Sequence, residues 1–134
     1  MRKILLAFLI SGWINSSPEV YFIEPKNGDV VSNTFTVKFG LSNFGIAPAG
    51  YDIPMTGHHH LLINVDLPED LSQPIAADKN HIHFGLGQTE AEITLDKGAY
   101  RLRLLMGNYL NIPILKMAMD TILLLELCIK MNIH

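Results

Sequence analysis

Five of the six histidines fall in two short blocks, Gly57-His58-His59-His60-Leu61-Leu62-Ile63-Asn64-Val65-Asp66 and His81-Ile82-His83-Phe84-Gly85-Leu86-Gly87. In an extended chain alternate side chains face opposite ways, so His59, Leu61, Ile63 and Val65 share an apolar face, and His58 and His60 turn outward. In the second block Ile82, Phe84 and Leu86 form the apolar face, and His81 and His83 turn outward. Each block therefore presents a His-x-His pair with side chains about 7 Å apart along the strand. Two such pairs on adjacent strands bring four imidazoles, His58, His60, His81 and His83, around one point. Imidazole suits late first-row transition ions such as Cu or Zn, whereas Ca and Mg prefer oxygen. A ligating imidazole must be neutral, so affinity for a metal ion is expected to fall as pH drops below roughly 6.5. Gly85 and Gly87 lie on the His81 and His83 face and mark a bulge or a close approach to the backbone. His59 reads as a core histidine held neutral by a backbone hydrogen bond.

The elements that must position these residues read as strands. Val20–Ile23 is a compact β-prone run, and Lys26-Asn27-Gly28-Asp29 supplies turn chemistry. Thr34 to Leu41 alternates, with Phe35, Val37, Phe39 and Leu41 on one face. Further strands are expected at His59–Asp66, His81–Leu86, Ala91–Leu95 and Tyr100–Met106, the last exposing Arg101 and Arg103. Residues 42–57, punctuated by Gly45, Pro48, Gly50, Pro54 and Gly57, form a long ordered loop, a common place for function. Short strands joined by turns, with no intervening amphipathic helix, predict an all-β fold, an immunoglobulin-like antiparallel β-sandwich. The segment from Met117 to Ile129 is almost continuously apolar and rich in Leu and Met; its periodicity fits a closing strand, a packed helix or an altered coding segment equally well.

The chain of 134 residues has room for one domain. Arg2 and Lys3, the apolar run Ile4–Ile10 and the small polar residues Asn15, Ser16 and Ser17 have the layout of a secretory signal peptide over residues 1–17, which leaves residues 18–134 as a single β-sandwich domain, periplasmic or secreted. Removal of that segment leaves 8 basic and 13 acidic residues. No basic run marks a nucleic-acid partner, and no apolar stretch approaches the roughly 18 residues of a membrane span, so stable membrane insertion is not expected once the signal is removed. The single cysteine, Cys128, excludes an internal disulfide. No Gly-x-Ser-x-Gly turn carries a serine nucleophile.

Several blocks together resemble a known family. They are Val20-Tyr21-Phe22-Ile23-Glu24-Pro25-Lys26-Asn27-Gly28, Phe39-Gly40-Leu41, Ala47-Pro48-Ala49-Gly50, the triple-histidine block, His83-Phe84-Gly85-Leu86-Gly87-Gln88-Thr89-Glu90 and Leu95-Asp96-Lys97-Gly98. Across about residues 19–110 the chain resembles the exported bacterial family called domain of unknown function 4399. The resemblance implies a small secreted or periplasmic domain with no established activity. It also implies a His-x-Pro-His loop, matched here by Asn111-Ile112-Pro113-Ile114, and a β-branched closing strand, replaced here by the divergent tail 111–134. The expected function is transition-metal binding without catalysis. Two other readings stand beside it. In one, an interaction module, the histidines tie the 42–57 loop to the sheet by hydrogen bonds. In the other, a cupin-like iron enzyme, His81-x-His83 is followed by Gln88 where a carboxylate is required.

Overall fold

The computed structural model describes residues 17–114 and, as backbone, residues 122–127. The expected signal segment lies outside the described residues except for Ser17, as do Met117 to Asp120, Cys128 and His134. The fold is all-β. Among the described residues nine strands follow in order: β1 (Glu19–Glu24), β2 (Val30–Val31), β3 (Thr34–Ser42), β4 (Gly45–Ile46), β5 (Thr56–Ile63), β6 (His81–His83), β7 (Glu90–Thr94), β8 (Gly98–Gly107) and β9 (Ile122–Leu127). One sheet has the order β1-β3-β7; the other runs β2-β9-β8-β5-β4, with β6 also paired to β5. Among the described residues no helix is long and apolar enough to cross a membrane.

The alternating faces pack as their sequence dictates. Val20, Phe35, Val37, Phe39 and Ile93 of the smaller sheet meet Leu61, Ile63, Leu102, Leu104 and Met106 of the larger one in a single buried cluster, which Phe84 joins. The two sheets thus form a sandwich around one core. The Asn27-Gly28 turn is present, with Gly28 at φ 82° and Asp29 N–H donating to the Lys26 carbonyl at 3.0 Å. Within the divergent tail, Ile122–Leu127 forms a strand antiparallel to β8 and, at its end, parallel to β2.

Three local expectations are corrected. β5 begins at Thr56 and ends at Ile63, because Asn64 turns left-handed at φ 55° and takes the Arg101 N–H on its side-chain oxygen at 2.8 Å. β6 ends at His83: the chain turns through Gly87, at φ 80°, and leaves Leu86 83% exposed instead of in the core. The long ordered loop expected over residues 42–57 contains strand: Gly45–Ile46 is β4, paired parallel with Thr56 and Gly57 at the start of β5, and Gly45 N–H donates to Met55 O at 2.8 Å and Ala47 N–H to Gly57 O at 2.9 Å.

Candidate metal centre

β5 is a central strand, flanked by β8 on one side and by β4 and β6 on the other. Its register places His60 opposite His83 on β6 and opposite Leu105 on β8, with His58 opposite Gly107. His58, His60 and His83 therefore share a face, as their two-residue spacing requires. One ligand atom from each lies within 4.8 Å of the others. The three rings pack with centroids 4.7–5.0 Å apart, and His60 stacks on His83. The Nε2 atoms of His58 and His83 are 3.0 Å apart, and Asn111 Oδ1 lies 2.9 Å from the same His58 nitrogen.

The expectation that both pairs face solvent is overturned. His58 is 0% and His60 1% exposed, while His81 and His83 are only half-buried. Leu62 and Leu105, on the same face, are closed over by Ile75 from the connection between β5 and β6, with Val65 and Leu67 alongside. This second, smaller core buries the face that alternation alone assigns to water. The connection is held by Ile75 N–H donating to the Asn111 carbonyl, 2.8 Å, which ties it to the loop after β8.

His81 stands apart from the other three. Antiparallel pairing sets it opposite Leu62, one step beyond His60, and its Nδ1 contacts Asp78 Oδ1 at 2.8 Å at the mouth of β6. That contact, followed by the backbone N–H of Asn80, holds the Asp78 carboxyl below its usual range.

Two glycines make room for the rings. A Cβ on Gly85 would sit 2.6 Å from His83 Cε1, and one on Gly107 would sit 2.7 Å from His60 Nε2. The close approach signalled by Gly85 is thus made by an imidazole of the chain itself. Gly87 serves the turn.

Burial sets the protonation state. It pushes His60 down to about 3, with further lowering from His58, His83, His59 and His81 in turn. His58 is lowered mainly by burial, against the opposing pull of its bond to Asn111, and His83 adds to the lowering. Burial thus keeps His58 and His60 uncharged at neutral pH, each with one nitrogen free to accept, the state a metal ion requires. Among the described residues, both ring nitrogens of His60 and Nδ1 of His58 are buried without a hydrogen-bond partner. Buried polar atoms are rarely left so, and each orphan costs about 1–3 kcal/mol. A cluster of imidazoles with vacant lone pairs fits a cation acceptor.

His59 faces the sandwich core as expected, against Phe39 with ring centroids 4.8 Å apart. Among the described residues the backbone hydrogen bond expected for it is not made: neither ring nitrogen has a partner there, and burial pushes the group down to about 4.

The geometry also bears on the two other sequence readings. The segment of residues 42–57 is tied by backbone groups, Ala49 N–H to Gly85 O and Gly50 N–H to Tyr109 O, and not by imidazoles. Gln88 Oε1 accepts the Leu86 N–H at 3.0 Å, which commits it to its own turn, and the histidine group contains no carboxylate.

The residue that strand alternation misses is Asn111. It lies where the resemblance places the first histidine of a His-x-Pro-His loop, and that position does reach the cluster. Ile114, at the second, packs instead against the main core.

The family model described as Domain of unknown function (DUF4399) matches residues 37–124. Neither curated proteins nor solved structures provide a match.

Proposed function

Because the chain belongs to the DUF4399 family, whose description assigns no activity, we propose from the site itself that the protein binds a transition-metal ion such as Cu or Zn through His58, His60 and His83, without catalysis of its own. The observation that carries this is the convergence of three imidazoles, two of them fully buried and left with unpartnered nitrogens. Three imidazoles are a familiar donor set for Zn and Cu, and a metal ion satisfies in one step what no protein group near His60 does. His81, expected as a fourth ligand, is in this reading outside the inner set.

The wider setting is part of the same proposal. The order β1-β3-β7 against β9-β8-β5, with β2 crossing to pair with β9, supports an immunoglobulin-like class of sandwich. The charged start and apolar run of residues 1–10 support export to the periplasm or beyond. The expected partner is the ion, with no nucleic acid.

Titration of the purified protein with Zn(II) and Cu(II), beside a variant carrying His58→Ala, His60→Ala and His83→Ala, tests the reading. Saturable one-to-one binding should be present in the native chain and lost in the variant. Equal binding by the two removes the site.

A further inference from the structure

Resting on the reading of the triad as a metal site, we propose that the side-chain oxygen of Asn111 is the fourth donor to the ion, delivered by the loop that follows β8. Asn111 Oδ1 and His83 Nε2 flank the same atom, His58 Nε2, at 2.9 and 3.0 Å. Donors bound tetrahedrally at 2.0–2.1 Å lie about 3.3 Å from one another, so the two separations from His58 Nε2 already stand within a few tenths of an ångström of two edges of such a polyhedron. The amide oxygen can only accept, so in the metal-free protein it takes the proton of His58 Nε2. As the proton of His58 shifts from Nε2 to the unpartnered Nδ1, an ion at this point meets the amide oxygen and the imidazole nitrogens together. The buried ring of His60, both nitrogens unpartnered, supplies the remaining corner.

Asn111 is also held for this task by its backbone. It sits in the left-handed region at φ 63°, a conformation asparagine tolerates better than most residues. Its N–H donates to the Asn108 carbonyl at 2.8 Å and its carbonyl accepts the Ile75 N–H. Asn108 Oδ1 in turn accepts the N–H groups of Leu110 and Ile112, at 2.9 and 3.0 Å. The loop is thus braced on both sides of the residue, and binding an ion through Asn111 fastens the connection that covers the site. Three imidazoles and an amide are all neutral, so the set leaves the ion's charge without a counter-charge. A carboxylate at the same place would supply one.

Two substitutions test this, both compatible with a left-handed backbone and so able to fold: Asn111→Gly removes the donor and Asn111→Asp replaces it with an anionic oxygen of the same shape. The probe is Co(II), read by its visible ligand-field bands, with Zn(II) as competitor. The expected result is binding about tenfold weaker in Asn111→Gly and about tenfold tighter in Asn111→Asp, with the bands moved in both. If the native chain binds Co(II) but both variants stay within about threefold of it and their spectra superimpose on its own, Asn111 merely orients His58 and the proposal falls while the triad stands. If the native chain itself gives no Co(II) bands that Zn(II) displaces, the triad reading fails, and this proposal with it.

Discussion

The two faces of β5 each bury imidazole, and the difference between them separates a core histidine from a site. On the face toward the smaller sheet, His59 lies alone against Phe39, its nitrogens unpartnered, with no second donor converging on it. On the opposite face His58 and His60 meet His83 and the oxygen of Asn111. Burial, neutrality and orphaned nitrogens are common to both. Only convergence distinguishes them, and convergence comes from the β5–β6 register and from a loop distant in sequence. A buried unpartnered histidine is by itself a cost; several within reach of one point are a donor set that could hold a cation.

Acid should expose the shared part of the comparison and has the largest expected effect. Unfolded histidine takes up a proton as pH falls through about 6.5, whereas in the folded protein His59 stays neutral to about 4 and His60 to about 3. Between those limits the unfolded chain holds more protons, so stability present above pH 6.5 is lost as pH falls, by about 1.4 kcal/mol per pH unit for each such group, and the loss levels off below the folded values. Urea unfolding of the metal-free protein from pH 7.5 to about pH 4.5 should show a steep decline. Saturating Zn(II) should protect the His58 and His60 face and leave the share due to His59. A metal-free stability that stays flat across this range would contradict neutral buried imidazoles on either face.

Much of the strand framework can be read from alternation. Phe35, Val37 and Phe39 occupy the face the pattern assigns them, and so do His59, Leu61 and Ile63. The pairing of His58 with His60 on one face follows from the same rule. Alternation cannot give depth. The rule sends every second residue of β5 outward, but whether outward means water depends on Ile75, which is contributed by a Pro-containing connection with no period of its own. A trace of this cover exists in the sequence: Leu62 and Leu105 are apolar on the face otherwise assigned to solvent, and two leucines there call for a lid. Register is equally hidden, because nothing in His81-Ile82-His83 says that His83 rather than His81 will stand opposite His60. Asn111 lies beyond any strand pattern and is reached only through the loop spacing implied by the family resemblance.

An intermediate effect is expected from a substitution that touches only the converging face. Gly107 does not need glycine for its backbone, since its φ is not positive. What excludes a side chain is His60, whose Nε2 would lie 2.7 Å from a Cβ. Gly107→Ala should therefore push the His60 ring out of line, destabilise the protein by about 1–3 kcal/mol through overpacking, and weaken Zn(II) binding. Calorimetric titration beside urea unfolding reads both quantities. Native Zn(II) affinity in this variant would mean that the ring of His60 contributes little to the site, which would erase the main difference between the two faces.

The smallest effect belongs to the isolated histidine. His59→Leu removes two buried, unpartnered nitrogens and fills the space with an apolar side chain compatible with Phe39. Replacing an unsatisfied polar group by a well-shaped apolar one is close to neutral or stabilising, so at pH 7 the variant should gain about 1 kcal/mol, or lose less than that where leucine packs less well than the ring. Zn(II) affinity should be unchanged, because the substitution lies on the far side of the strand from His58 and His60. The acid-induced loss of stability should become shallower by the share of one imidazole. A variant that instead forfeits metal binding while remaining folded would show that the two faces of β5 act as one site.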